Sequence, residues 1–389
     1  MGSGERVPEP NHHPDARWCD WQPSARYSVG VEEEVMLVDP ADWSLAQRIE
    51  DVLARLPREL AHRVGAETHQ ATIELGSEPH GSVGGAIGEL GTLRLALATS
   101  LRSMGLCAAG GGTHPTAVWS DTRVSPSGRY QLIDKTMRVL ARREPTFALH
   151  VHVGVADPEA AIELMNRMRT HLPVLLALSA NSPYWQGRDT GFASARTLIF
   201  QAFPRTGLPR RFADYGDWCG SVDLLLRAGA IPEPTFLWWD IRPQPRFGTV
   251  EIRIMDAQCD LERSAAVVSL VQALSRLELE EGYASSASMR AEEVLAENRF
   301  LAARDGVEAN LIDPERGVQR PVREVVADLL EAARPHALAL GCARELDAVD
   351  LLVAEPAAAA QRRLVERAGM EGMVAANTRR FEVAKLITT

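Results

Sequence analysis

Lysine is almost missing from this sequence. Of its 42 basic residues only Lys135 and Lys385 are lysine, and arginine supplies the other 40. Anions must therefore be met mainly by guanidinium forks, which fit carboxylate and phosphate groups two bonds at a time. Positive charge is short in total as well: the net charge of −10 disfavours a nucleic-acid groove. Cysteine is sparse and unpatterned. Cys19, Cys107, Cys219, Cys259 and Cys342 are odd in number and none is spaced as CxxC. That argues against a disulfide framework or a thiolate zinc site, and for a reducing, cytoplasmic setting. Long apolar runs are lacking too; Leu172–Ala180 is too short to cross a membrane. The polar stretch Met1–Pro14 has no apolar segment of the kind a secretion signal needs.

What remains is ordinary globular material. The 389 residues are 46% hydrophobic and 24% charged, enough for a sizeable core. No internal repeat and no long linker rich in Pro, Gly or Ser divides the chain. The expectation is a disordered N-terminal tail over residues 1–22 and a single catalytic domain over 23–389. No feature specifies an oligomeric state.

The stretch Ser28–Asp39 stands out. Val29, Val31, Val35, Met36, Leu37 and Val38 are strand formers, interrupted by Glu32-Glu33-Glu34. Alternation puts Glu32 and Glu34 on one face, about 7 Å apart, and Glu33 on the other. That spacing suits two carboxylates that each hold a hard cation or straddle a pair of them; a charged, solvated edge strand is the plainer reading. Glu67 and Glu74 follow. Their odd spacing puts them on opposite faces of one regular strand, so both reach one site only across a turn, a bulge or two strands. Phe147–Val155 reads as a strand whose His150 and His152 share a face, a familiar metal-ligand arrangement. On a later strand, Phe247–Asp256, Glu251 and Arg253 share a face, as a metal and the phosphate it neutralises would need. A cross-strand ion pair is the bland alternative.

Between these strands, helices are expected over Ser44–Leu60, Ser82–Leu106, Tyr130–Arg143 and from Asp157 to about Ala180. Gly110-Gly111-Gly112 is not a phosphate loop, because no Gly-Lys-Ser/Thr follows. Residues 181–209 read as a long aromatic and arginine-bearing loop, usually a functional element. From Leu261 onward the pattern is mostly helical.

Taken together, Gly30-Val-Glu-Glu-Glu34, Glu67 with Glu74, His150-Val-His-Val-Gly154, Asn181-Ser-Pro183, Ser194-Ala-Arg196, Trp239-Asp-Ile-Arg-Pro243, Thr249-Val-Glu-Ile-Arg253 and Asn298–Gly306 resemble the type 2 glutamate–cysteine ligases, bacterial carboxylate–amine ligases, from about Tyr27 to Gly306. The resemblance implies an α+β fold: a curved, mainly antiparallel sheet forming a funnel, with helices outside, related to the glutamine synthetase catalytic domain. It implies ATP as co-substrate, glutamate and an amine acceptor, cysteine, as partners, and two or three Mg²⁺ ions, replaceable by Mn²⁺, on Glu32, Glu34, Glu67, Glu74, His150 and Glu251. It implies Arg253 at the transferring phosphate and Arg196 at an amino-acid carboxylate. His152, Arg205 and Arg242 join the expected substrate set, and Arg304 the ATP set. The residues alone leave two other readings open: a ligase for a different amine, and a hydrolase in which the HxH pair and carboxylates hold Zn²⁺ and water attacks without ATP.

Overall fold

The computed structural model describes residues 17–143 and 145–383. A seven-stranded antiparallel sheet organises it. Its strands are β1 (Val29–Val38), β2 (Val64–Ala66), β3 (Thr72–Gly76), β4 (Cys107–Ala109), β5 (Ala148–Gly154), β6 (Ile241–Gln244) and β7 (Thr249–Asp256). The order is β6-β7-β5-β1-β3-β2, with β4 also paired to β1. Met36 pairs with both Thr72 and Ala109, so β4 continues the edge of β1 that β5 occupies.

One face of this sheet is apolar. Val29, Val31, Val35, Leu37, Ile73, Leu75, Leu149, Val151, Val153, Val250 and Ile252 are essentially unexposed. They pack under α1 (Val83–Ser103), α2 (Pro158–Met168) and α3 (Leu261–Glu280). Burying each such side chain contributes about 1.5–3 kcal/mol, so this layer anchors the fold. Short-range chemistry starts the helices: the Ser82, Asp157 and Asp260 side chains accept from the N–H groups of Gly85, Ala160 and Arg263, as N-caps do. Glu33 falls on this helix-covered face. Arg94 of α1 grips it through Nε (2.7 Å) and Nη2, both residues being fully buried.

Several sequence expectations shift. Residues 44–60 hold two short helices, Ile49–Arg55 and Arg58–Ala61, because Pro57 forces Leu56 into extended backbone. The segment from 158 to 180 likewise splits, with Pro173 in the first turn of Leu172–Ser179. The stretch 181–209 contains a helix, Ala195–Phe200, capped by Ser194. The expected loose tail is too long at its inner end: Trp18 packs edge-on against Trp218, and the Gln22 N–H bonds to the Pro245 carbonyl. Its first sixteen residues lie outside the described residues. No helix among the described residues is long and apolar enough to cross a membrane.

Candidate active site

The opposite face of the sheet is polar, and strand register decides which groups meet there. Glu32 pairs with His150, Glu34 with Glu74, and Glu251 with both His152 and Arg242. Cross-strand partners share a face, so these side chains form one continuous band. Glu67 joins it from the turn between β2 and β3, its Oε2 accepting from the Thr68 N–H (2.9 Å). The odd spacing of Glu67 and Glu74 is thus resolved by a hairpin. The band floors a cavity of about 560 Å³ whose wall includes Ile199, Phe200, Phe203, Trp238 and Phe247.

Placing Glu34 directly opposite Glu74 violates the rule against facing like charges, and both carboxyls are held above their ordinary values. Burial and the nearby Glu67 push the Glu34 carboxyl up to about 7. Burial and the Glu32, Glu67 and Glu34 carboxylates hold Glu74 well above the ordinary value. Burial works against the charge of Glu32 too, but the His152 and His150 imidazoles outweigh it and hold that carboxyl low. Burial, then Arg253, lowers His150 to about 4, so its ring is neutral. A neutral imidazole is the ligand form.

The donors fit divalent cations. Five glutamates and two histidines fall into three overlapping triads: Glu32, His152 and Glu251; Glu32, Glu74 and His150; Glu34, Glu67 and Glu74. The ligand atoms of each triad lie within 4.8 Å of one another. The buried Nε2 of His152 has no hydrogen-bond partner among the described residues and lies 3.4 Å from Glu32 Oε1. An oxygen-rich set without thiolate suits Mg²⁺ or Mn²⁺.

Glu251 is held from several sides. It accepts from Arg242 Nε (2.7 Å), Gln244 Nε2 (2.5 Å) and Arg253 Nη1. Arg253 also approaches His150 Nδ1 at 3.4 Å. Gln244 is absent from the sequence-derived set, yet alternation on β6 places it beside Arg242. His152 Nδ1 lies 2.9 Å from Thr249 Oγ1, which orients the ring. Arg196 lines the cavity but is buried and turned to the backbone, donating to the Ile254 and Arg253 carbonyls. Arg205 and Arg304 do not line the cavity. Arg205 lies over Trp238 and donates to the Ala230 carbonyl; Arg304 is exposed and pairs with its neighbour Asp305.

Residues 28–380 match the family described as glutamate-cysteine ligase family 2. The chain belongs to glutamate–cysteine ligase family 2. A relative in Rubrobacter xylanophilus, provisionally named glutamate–cysteine ligase 2-1, is 38% identical over 344 residues, 88% of this chain and 91% of its own. Another in Thermobifida fusca, provisionally named glutamate–cysteine ligase 2, is 38% identical over 363 residues, covering 90% and 89%. In fold, this family member is similar to the glutamate–cysteine ligase of Francisella tularensis solved with AMP. The TM-score is 0.70 at 14% identity, over 93% of this chain and 89% of that one. As a member of glutamate–cysteine ligase family 2 the chain is an ATP-dependent ligase.

Proposed function

We propose that the chain joins the γ-carboxylate of glutamate to the amine of cysteine, using ATP. A γ-carboxylate oxygen attacks the γ-phosphorus of ATP, the bond to the bridging oxygen breaks, and ADP leaves. The amine nitrogen then attacks the carbonyl carbon of the acyl phosphate. Phosphate departs and the nitrogen gives up a proton, leaving an amide.

The observation that supports this reading most is the shared sheet face: three carboxylate-rich triads with Arg253 beside them. Glu32, Glu34, Glu67, Glu74, His150 and Glu251, with His152 alongside, would hold two or three Mg²⁺ ions. Bound Mg²⁺ neutralises phosphate oxygens and polarises the phosphoryl group. Arg253 adds a fixed positive charge where the transferring oxygens gather charge. Arg242 and Gln244 hold Glu251 in place. The apolar wall of Ile199, Phe200, Phe203 and Trp238 limits water around the acyl phosphate, which favours the amine over hydrolysis.

An ADP-release assay with glutamate and a panel of amines tests this. ADP release is expected to require glutamate together with Mg²⁺ or Mn²⁺, and to be fastest with cysteine. A different fastest amine would keep the ligase and change the acceptor. Tightly bound zinc, with turnover indifferent to ATP, would replace the ligase reading with the hydrolase.

A further inference from the structure

A bulge in β7, Arg196 and Asp256 form a unit that the reaction leaves unused. Between Ile252 and Met255, β7 carries one residue more than β5 opposite it, so side chains beyond the bulge change face. Asp256 thereby arrives opposite Ala148, fully buried. Its Oδ2 accepts from the Asn181 N–H (2.8 Å) and Ser182 Oγ (2.6 Å), and its Oδ1 from Ser194 Oγ (2.9 Å). Arg196 Nη1 stands 3.6 Å from Oδ1. The neighbouring chain must be bare to fit: a Cβ on Gly112 would lie 2.7 Å from Asp256 Cγ and 2.9 Å from Ser182 Cβ.

Arg196 closes the unit. Its Nη1 donates to the Ile254 carbonyl (3.0 Å) and its Nη2 to the Arg253 carbonyl (3.2 Å). Both residues lie in the bulge, where the ladder is out of register and backbone groups need other partners. On the other side of Arg253, its N–H bonds to the Asp240 carbonyl (2.8 Å). Asp240 is itself gripped by Arg299 (2.6 Å) in a buried pair. The peptide groups on both sides of the Arg253 Cα are therefore tied down. Arg196 is 5% exposed, and both of its Nη groups are spent on carbonyls, with Nε left unpartnered among the described residues; the terminal nitrogens hold backbone.

We propose that Arg196 is a positioning residue: with Asp256, Ser182 and Ser194 it clamps the β7 bulge and so aims Arg253 at the transferring phosphoryl group. This role rests on the ligase reading above. It assigns Asn181-Ser182 and Ser194-Ala-Arg196 to the aiming of Arg253, and it commits both Nη groups of Arg196 to backbone rather than to a two-bond grip on a substrate carboxylate.

Steady-state kinetics of Arg196→Lys, Arg253→Ala and the double variant test it, with thermal melts alongside. Misplacing a reacting group by about 1 Å can cost on the order of 10²-fold. Arg196→Lys is therefore expected to lower kcat by ~10- to 100-fold, with the KM for glutamate changed less than about threefold. In the Arg253→Ala background it should cost nothing further. A large rise in glutamate KM with kcat preserved, or losses that simply add, overturns the proposal. If Arg196→Lys does not fold, Ser194→Ala replaces it, with a smaller loss of kcat and the same non-additivity expected. If the parent shows no glutamate-dependent ADP release, the ligase reading has failed, and crystal structures decide the clamp. An Arg253 side chain displaced in Arg196→Lys supports it; an unchanged bulge with Arg253 in place overturns it.

Discussion

Glu34→Gln is expected to lose glutamate-dependent ADP release by at least ~10²-fold, while Glu33→Gln keeps the chemistry and loses stability. The two residues are adjacent but face opposite worlds. Glu34 stands across from Glu74 in the donor band. Without a cation its charge is unwelcome there, so the metal-free Glu34→Gln protein should melt higher than the parent. Glu33 stands under α1 against Arg94, which also donates to the Gln258 carbonyl (3.1 Å) and lies over the Phe381 ring at 4.5 Å. Neutralising Glu33 leaves that guanidinium buried without its counter-charge, at a cost on the order of 3–5 kcal/mol. Denaturant unfolding, with ADP release measured per folded molecule, separates the two. Equal loss of activity in both variants, with both still folded, would contradict the face assignment.

The same band predicts a pH dependence. Glu34 titrates at about 7 when folded, above the ordinary carboxylate value, because of burial and Glu67. A raised folded pKa stabilises the protonated protein, and that contribution is lost as pH climbs through about 7. Glu74 is shifted the same way. In chelator, the melting temperature should fall between about pH 5 and pH 8, and Mg²⁺ should restore it most at the upper end. A profile that Mg²⁺ leaves untouched at every pH would argue that the band holds no such ion.

The second large effect concerns the intermediate. A sulfoximine analogue of glutamate places a tetrahedral sulfur where the amine would attack the acyl phosphate, and its nitrogen can take the phosphoryl group from ATP. The phosphorylated product resembles the transition state and should bind at least ~10²-fold more tightly than glutamate. Inhibition should develop slowly, require ATP and Mg²⁺, and survive dilution. Because Arg253 adjoins Glu251 and His150, Arg253→Ala should weaken the slow phase more than the initial binding. Rapid, fully reversible inhibition that is the same without ATP, in an enzyme otherwise active, would count against the acyl-phosphate route.

Much of this site was legible locally. Glu32 with Glu34, His150 with His152, and Glu251 with Arg253 follow from the two-residue period of a strand, which needs no knowledge of neighbours. So does the opposite facing of Glu33. The Asp157 cap and the family resemblance were equally readable. Tertiary structure decided everything that depends on pairing. Register, a property of two strands, set Glu34 against Glu74 and Glu251 against Arg242. A hairpin brought Glu67 to Glu74. One extra residue in β7 broke the alternation, so Ile254 and Asp256 could not be assigned by counting. Arg196 shows the limit most plainly. Its residue type suggests a carboxylate partner, but only the fold reveals the out-of-register carbonyls that its donors meet. Arg205 and Arg304 look equivalent to it in sequence and lie elsewhere, because a charge carries no address until the chain around it has packed.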